Sequence, residues 1–223
     1  MPELHQDETV LYSSWRSSCS YRVRICLNLK KIEFKLKAVD SSKLAGPTRA
    51  ATYTQNPMNY IPALDIDGKT LIESMAIMEY LEETRPAEPL MSNDPFKRAQ
   101  IRAICGIIVA GIQPLQNTSV LNQIGEYSGK DEEEMWSQRW IRKGFAAIEK
   151  ILAETAGKYC VGDEITLADC CLVPQVFNAR RFNLDLASYP KIVQIDRLLQ
   201  EHPAFKRAHP TEQADFSAEE KFA

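Results

Sequence analysis

The sequence lacks the features that are typical of nucleic-acid-binding proteins, membrane proteins and secreted proteins. Its 27 Lys and Arg residues against 30 Asp and Glu residues give a formal net charge of −3, so nothing attracts the chain generally to nucleic acid or to anionic lipid. No apolar run approaches the ~20 residues that a membrane-spanning helix needs. Residues 1–8 are polar and acidic, unlike the basic start and apolar core of a secretory signal. We therefore expect a cytoplasmic protein with small-molecule partners, and neither nucleic acid nor a membrane among them.

Metal and disulfide patterns are also missing. The three histidines lie near the ends of the chain, and the cysteines contain no Cys-x-x-Cys pair. Neither set has the spacing of a zinc site, and the cysteine pattern is not that of a disulfide framework. We expect no bound metal and most cysteines to be small buried apolar residues. The six are Cys19, Cys26, Cys105, Cys160, Cys170 and Cys171.

The composition is that of a folded protein with one large domain or two small ones. Of the 223 residues, 44% are hydrophobic and 26% are charged, which is ordinary for a globular protein and argues against disorder. The segment 85–89, Arg-Pro-Ala-Glu-Pro, breaks a helix and is typical of a linker. Strand and helix patterns alternate before this segment, and only helix patterns follow it.

The part before the linker predicts the order β-α-β-α-β-β-α. Asp67-Gly68 suits a two-residue hairpin turn between strands at 62–66 and 69–72, and Ser74 is a suitable N-cap for the helix that follows. The remaining elements are predicted at 10–13 (strand), 20–30 (helix), 32–39 (strand) and, after a surface loop at 41–48, a short helix.

Prolines and capping residues predict where the later helices begin. Asp94-Pro95 opens a helix that runs to Ile112 and is interrupted at Pro114. Thr166 and Asp169 form a capping box for another. Further helices are predicted from Asp131, with an Asp131–Glu134 capping pair, from Pro190 and from Pro203, and a polar, frayed tail from Thr211.

One corner near the amino end has the composition of an anion site. Ser17, Ser18, Cys19 and Ser20 lie where a strand gives way to a helix, and the first N–H groups of a helix lack internal partners and carry a partial positive charge. Such a corner stabilises a phosphate, a carboxylate or a thiolate. The alternative is that the serines are only N-caps and the cysteine is packing.

Two further features add to this corner. Pro62 directly precedes a strand, so it either tolerates a missing N–H at an edge or marks a cis peptide that presents the backbone of Ile61 to an extended ligand. Glu73 and Ser74 at a helix start offer a carboxylate, a hydroxyl and N–H groups. That combination suits a ligand with both a carboxylate and an ammonium group.

At this point a family resemblance is apparent. The run Ser17-Ser18-Cys19-Ser20-Tyr21-Arg22-Val23-Arg24-Ile25 resembles the signature of the zeta class of glutathione transferases. The resemblance spans nearly the whole chain, about residues 11–210, and continues in Asn56-Pro57-Met58, Ile61-Pro62, Glu73-Ser74-Met75-Ala76-Ile77 and Gln113-Pro114-Leu115-Gln116-Asn117. The Ser-Ser-Cys motif and the Gln-Pro-Leu-Gln-Asn motif are specific to the class, whereas the Ile-Pro and Glu-Ser elements are shared by glutathione transferases generally.

The resemblance implies an α/β plus all-α fold. A thioredoxin-like domain at 8–87 would bind glutathione and a helical-bundle domain at 92–212 would hold the second substrate, in a homodimer. Ser17, with Ser18 and Cys19, would be catalytic. Arg181 and Gln113 would bind the second substrate; Arg181 would receive its carboxylate, with Arg180 and Arg16 as further candidates. The glutathione-binding residues implied are Ser17, Ser18, Cys19, Ser20, Tyr21, Arg22, Ile61, Glu73, Ser74, Gln113, Asn117, Thr118 and Ser119.

The activity that the resemblance implies is cis–trans isomerisation of maleylacetoacetate to fumarylacetoacetate in tyrosine and phenylalanine catabolism, with glutathione as a regenerated cosubstrate. Two alternatives stay open: a general glutathione transferase acting on α-haloacids or hydroperoxides, and a non-catalytic module with this fold. Cys19 is either an accessory thiol or a redox nucleophile that forms mixed disulfides with glutathione.

Overall fold

The computed structural model describes residues 8–40 and 55–217. Their contacts divide them into two compact units. The first contains 8–40, 55–88 and the carboxyl-terminal segment from 204, and the second contains 89–203. The short helix predicted after the loop at 41–48 lies outside the described residues.

A mixed four-stranded sheet forms the centre of the first unit. The order in the sheet is β2-β1-β3-β4; β1 and β2 are parallel, and the pairs β1–β3 and β3–β4 are antiparallel. Helix α1 lies between β1 and β2 in the chain, as a parallel pair requires a crossover. The elements are β1 Val10–Ser13, α1 Ser18–Leu29, β2 Lys35–Ala38, β3 Ala63–Ile66, β4 Lys69–Ile72 and α2 Ser74–Thr84.

The predicted hairpin is confirmed at its turn. Asp67 and Gly68 have φ angles of 54° and 68°, the left-handed values that a two-residue hairpin turn demands. The carboxylate of Asp67 accepts hydrogen bonds from α2 and its C-cap: Nη1 and Nη2 of Arg85 donate to it at 2.7 Å, and the Tyr80 hydroxyl donates at 2.7 Å. The turn is therefore tied to the carboxyl end of the helix that follows it.

Apart from an isolated β-bridge between Ala156 and Gly162, the regular secondary structure described in the second unit is helical. The first helix is α-helical as far as Gly106. A π-helical stretch and then a 3₁₀ turn follow it, and Pro114, which has no N–H to donate, lies in the 3₁₀ turn. The elements are α3 Pro95–Gly106, the π-helical stretch Ile107–Ile112, the 3₁₀ turn Gln113–Gln116, α4 Thr118–Ser128, α5 Asp131–Thr155, α6 Leu167–Arg181 and α7 Pro190–Gln200.

Two of the predicted caps are confirmed and two are wrong. Asp94 caps α3, and Thr166 with Asp169 forms the box at the start of α6, where the fully buried Asp169 also accepts the N–H of Cys160 at 3.0 Å. No side-chain cap joins Asp131 to Glu134, because Asp131 already lies inside α5. The N-cap of α2 is Glu73, so Ser74 is the first helical residue.

The carboxyl-terminal segment corrects the prediction of a frayed tail. This segment contains α8 (Pro203–Ala208) and a 3₁₀ turn at Pro210–Glu212. After the turn, Asp215 and Phe216 contact Trp15 of the same unit. Polar composition suggested fraying, but specific hydrogen bonds hold the segment as far as Phe216.

Among the described residues, no single helix has the length and apolar character to cross a membrane. A bent pair, Pro95–Gln116 with Thr118–Ser128, meets the criteria only when its two parts are taken together, by length and composition alone.

Asp67→Asn tests the contact between the hairpin and α2. Hydrogen bonds from Arg85 and Tyr80 lower the pKa of Asp67 to about 2 from 3.8, so the ionised carboxylate stabilises the folded chain above pH 3.8 and loses this effect as pH falls through about 2. Since both side chains are partly exposed, we expect a loss of no more than about 1 kcal/mol at pH 7. Urea unfolding from pH 7 to pH 2 should show the difference shrinking, with exposed Glu83→Gln as control. A pH-independent difference would contradict this contact.

Candidate functional site

Ser17 caps the amino end of α1. Its Oγ accepts the N–H of Ser20 at 3.1 Å, and its backbone carbonyl accepts the N–H of Tyr21 at 2.9 Å. The hydroxyl oxygen is thus an acceptor, and Ser17 donates its O–H to no other residue in the part of the chain that the structure describes. Ser17 is half-buried. A capping hydroxyl with an available proton therefore lies at the positive end of a helix.

The three residues after Ser17 form the first turn of α1. Ser18 is buried, Cys19 is half-exposed, and Ser20 is fully buried and contributes its N–H to the cap. The other five cysteines are all buried free thiols. Cys19 is therefore the cysteine of this chain that a ligand at the helix start can approach.

Tyr21 belongs to the core of the first unit. Its side chain is fully buried, its ring lies under the guanidinium of Arg24 at 5.3 Å, and it meets the ring of His209 edge-on at 6.1 Å. Of the residues in the signature run, Tyr21 is positioned to support the corner by packing.

Arg22 connects α1 to the first residue of α2. Its Nη1 donates to the Oγ of Ser74 at 3.2 Å, whereas its Nε and Nη2 have no hydrogen-bond partner in the described part of the chain. Arg22 is only 1% exposed. A buried guanidinium with two unpaired nitrogens is costly, and it leaves positive charge beside Ser74 for an anionic ligand.

Glu73 has a backbone conformation that only a local constraint maintains. Its φ is 67° and its ψ is 117°, a region that non-glycine residues rarely adopt and that concentrates at binding sites. Its side chain is exposed, and its carbonyl accepts the N–H of Ile77 at 2.9 Å. Glu73 and Ser74 together present a carboxylate and a hydroxyl at the start of α2.

The Ile61–Pro62 peptide bond is cis, which decides between the two predicted alternatives. Ile61 precedes β3 and is half-buried. Neither its N–H nor its C=O is hydrogen-bonded to another described residue. The backbone of Ile61 therefore has a donor and an acceptor for an extended ligand.

In the second unit, the structure brings together two of the predicted residues. Nε2 of Gln113 donates to Oδ1 of Asn117 at 3.0 Å across the 3₁₀ turn. Thr118 and Ser119 begin α4, the first exposed and the second half-buried. These four residues form one polar group on the second unit.

Sequence reasoning missed the side chains that hold this turn. Oε1 of the buried Gln116 accepts from Gln175 at 3.3 Å and from Asn178 at 3.4 Å, and its Nε2 donates to the carbonyl of Ile112 at 3.2 Å. The Trp136 indole N–H donates to the carbonyl of Leu115 at 3.0 Å. Gln116 belongs to a motif that the sequence shows, but nothing in the sequence indicates that it contacts Gln175 or Asn178.

The neighbouring arginines at the end of α6 have different surroundings. Arg180 forms an ion pair at 2.6 Å with Asp196, which is fully buried. Arg181 is half-buried, and its guanidinium lies 4.7 Å from the ring centre of Phe182. The ion pair occupies Arg180, which leaves Arg181 as the better candidate to receive a substrate carboxylate.

Buried cysteines of the second unit are poor nucleophiles. Burial and neighbouring groups raise the pKa of the thiols of Cys105 and Cys160 well above the ordinary value, with a hydrogen bond to Cys171 the largest cause for Cys105 and desolvation the largest for Cys160. Within 8–40 and 55–217, no cluster of three or more His, Cys, Asp or Glu side chains is arranged to hold a metal ion.

Comparison with known proteins places this geometry in a family. Residues 16–84 match the model of the glutathione S-transferase N-terminal domain, and residues 118–207 match that of the C-terminal domain. A bacterial maleyl pyruvate isomerase, a glutathione S-transferase in the zeta class, has a solved structure with a TM-score of 0.88 at 41% identity, covering 93% of this chain and 100% of that one. The chain belongs to the zeta class of the glutathione S-transferase family.

Two more relatives of this transferase are similar over nearly their whole length. A probable maleylacetoacetate isomerase 2 of Drosophila melanogaster is 57% identical over 209 residues, covering 93% of this chain and 90% of the relative. The crystal structure of maleylacetoacetate isomerase from Anaeromyxobacter dehalogenans, with bound glutathione in its active site, has a TM-score of 0.85 at 40% identity and covers 93% and 97% of the two chains. The expected fold, a thioredoxin-like unit followed by a helical one, is confirmed.

A matched pair of substitutions tests whether the unpaired charge of Arg22 is a stability cost of the site. Replacing Arg22 by Met removes two unpaired buried nitrogens, so we expect the free energy of unfolding to fall by less than about 1 kcal/mol or to rise. Arg24→Met should cost at least about 3 kcal/mol, because the nitrogens of Arg24 all donate, to Ala208, Ser13, Ser14 and Trp15. Urea unfolding of both variants decides; an equal loss for both would show that Arg22 is structural.

Proposed function

We propose that this transferase is a glutathione-dependent cis–trans isomerase that converts maleylacetoacetate to fumarylacetoacetate in tyrosine and phenylalanine catabolism. Relatives at 57% and 40% identity carry the name of this activity, the first as a probable one. The observation that carries the proposal is the Ser17 hydroxyl at the amino end of α1, since its proton is available to a thiolate there.

The first unit provides a group of atoms that fits glutathione. The tripeptide has a thiol, an extended backbone and a γ-glutamyl end with an ammonium and a carboxylate. We assign the thiol to the corner of Ser17, Ser18 and Cys19. The cysteinyl backbone is assigned to the N–H and C=O of Ile61, which have no hydrogen-bond partner among the described residues. The γ-glutamyl ammonium is assigned to Glu73, and its carboxylate to Ser74.

Arg22 contributes to the γ-glutamyl site through Ser74. Because Nη1 of Arg22 donates to Oγ of Ser74, that hydroxyl keeps its own proton for the γ-glutamyl carboxylate. The buried guanidinium adds positive charge where the carboxylate binds. Ser20 and Tyr21 contribute through the backbone of the first turn of α1 and through packing.

When bound, glutathione supplies the reversible bond: its thiolate adds to the conjugated cis double bond, the resulting single bond rotates, and elimination restores a trans alkene. A free thiol with a pKa near ~8.5 is mostly protonated at neutral pH. The Ser17 hydroxyl and the first N–H groups of α1 stabilise the anion, which raises the nucleophilic fraction. The protein needs only to ionise, hold and align the reactants.

The second unit provides residues for the second substrate. We assign a carboxylate of maleylacetoacetate to Arg181 and polar contacts to Gln113. Asn117, Thr118 and Ser119 belong to the same polar group as Gln113 and stay candidates for glutathione contacts. Arg180 is left out of this assignment because its charge neutralises the buried Asp196.

The same proposal includes the domain bounds, the assembly and the location that the sequence predicts. We keep a glutathione-binding domain at 8–87 and a substrate domain at 92–212, a homodimeric assembly, a catalytic cycle without a metal, and a cytoplasmic location. All six cysteines are free thiols, which is consistent with a reducing compartment.

The proposal is tested by retention on immobilised glutathione followed by turnover of maleylacetone, measured spectrophotometrically with and without added glutathione. We expect isomerisation only with glutathione, and faster turnover than with a panel of α-haloacids or hydroperoxides. Preferred turnover of the panel would favour the general transferase. Failure to bind glutathione would leave only a non-catalytic module.

Ser17→Ala should lower kcat for isomerisation by about 10–100-fold, because a hydrogen bond to a charged group is worth about 1.5–3 kcal/mol. Loss of the cap should cost about 1 kcal/mol of stability, so rates are compared well below the unfolding temperature. Ser17→Thr keeps both hydroxyl and cap and should retain most activity. An Ala variant with the unmodified rate would remove the central element of the mechanism.

Arg181→Gln and Arg180→Gln form a matched pair for the substrate carboxylate. We expect the first to raise KM for maleylacetone about 10-fold or more, because a charged contact is lost. The second should leave KM within about twofold and lower stability, since the fully buried carboxylate of Asp196 would lose its ion pair with Arg180. Steady-state kinetics and urea unfolding check both, and the reversed pattern would assign the carboxylate to Arg180.

A further inference from the structure

The turn that leads to Ser17 is held from the other end of the chain. Trp15 is 4% exposed, and its backbone N–H donates to Oδ2 of Asp215 at 2.9 Å. Its ring meets the ring of Phe216 edge-on, with centroids 5.0 Å apart. Both contacts lie within the first unit and join residues about 200 positions apart in the chain.

Arg24 connects the same turn to the same segment. Its Nε donates to the carbonyl of Ala208 at 3.0 Å, while Nη1 and Nη2 donate to the carbonyls of Ser14 and Trp15 at 3.1 and 3.3 Å. Burial lowers the pKa of Arg24 to about 10, and the charge of Asp215 opposes this shift. Arg24 is therefore a cation at neutral pH, and Asp215 is its acidic counterpart from the carboxyl-terminal segment.

The position of Ser17 depends on this turn. The N–H of Ser17 donates to the carbonyl of Ser14 at 3.2 Å, and Arg24 binds that same carbonyl. Asp215 accepts the N–H of Trp15, which is the other end of that same peptide group. A shift of residues 14 and 15 therefore moves the residue that caps α1.

We propose that Asp215 and Phe216 are positioning residues for the thiolate corner: the carboxyl-terminal segment fixes the turn at residues 14–17 so that the Ser17 hydroxyl meets the glutathione sulfur. This inference rests on the proposed function. Asp215 and Phe216 touch Trp15 and act on the reaction through Ser17. A small displacement of a reacting or stabilising group is enough to lower a rate severalfold, even when binding is kept.

The variants Asp215→Ala and Asp215→Asn test whether Asp215 positions the turn for the reaction or only stabilises the fold. The Ala variant leaves the buried N–H of Trp15 without an acceptor, whereas the carboxamide oxygen of Asn still accepts it. For Ala we expect a fall in kcat of about tenfold, a KM for glutathione within about twofold, and a rise of about one unit in the thiol pKa of bound glutathione. Asn should keep both values near those of the wild type.

Phe216→Leu is the second variant, because it keeps the polar anchor and changes only the ring contact with Trp15. It should show a smaller change of the same kind. Glu212→Gln, an exposed acid in the same segment, is the control and should match the wild type. All variants are compared at a temperature where circular dichroism shows each to be folded.

The outcomes distinguish this inference from the proposed function. If Asp215→Ala and Phe216→Leu lower only the unfolding temperature and leave kcat and the thiol pKa unchanged, the positioning role is wrong while the isomerase stands. If the wild type neither binds glutathione nor lowers its thiol pKa, both are wrong. Loss of kcat in Asp215→Ala with recovery in Asp215→Asn supports the anchor.

Discussion

The structure of the site depends on where α1 begins. Ser17 caps the helix with its oxygen, and so the hydroxyl proton and the positive helix end coincide at one place. A capping residue is normally a stability device. In the mechanism that we propose, the same bond also fixes a donor for the glutathione thiolate, so local folding and thiolate chemistry would rest on one hydrogen bond. The other contacts proposed for the first unit, at Ile61, Glu73 and Ser74, would orient the ligand relative to that point.

Two buried arginines on α1 illustrate how the protein divides its charge between folding and binding. Every nitrogen of Arg24 is hydrogen-bonded, and it joins the strand-to-helix turn to the carboxyl-terminal segment. Arg22, two residues earlier and equally buried, keeps two nitrogens without a partner among the described residues. An arginine that serves only the fold would not be left in this state. We therefore keep Arg22 in the proposed glutathione site, where its positive charge lies beside Ser74.

Local patterns predicted the local structure well. The strand at 10–13, the Asp67-Gly68 hairpin and the Thr166–Asp169 box follow from nearest neighbours in the chain, and all three are confirmed. The cap predicted at Asp131 is wrong because helix boundaries depend on one or two residues that propensity does not resolve. The family and the fold are confirmed, and they came from the resemblance, since spacing alone left an N-cap and an anion site as equal alternatives.

Contacts between distant residues could not be read from the sequence. The tail from Thr211 was predicted to fray because it is polar, yet Asp215 accepts a hydrogen bond from Trp15. Gln116 and Gln175 lie 59 positions apart and share a hydrogen bond that supports the Gln113 turn. The different surroundings of Arg180 and Arg181 likewise depend on the buried Asp196, which no local pattern connects to them.

The central claim is that the start of α1 ionises a bound thiol. Titration of the ultraviolet absorbance of the thiolate in the complex of wild-type protein with glutathione measures this directly. We expect a midpoint well below the ~8.5 of a free thiol, so that bound glutathione is largely anionic at neutral pH. A midpoint equal to that of free glutathione, in a complex shown to be saturated, would contradict it.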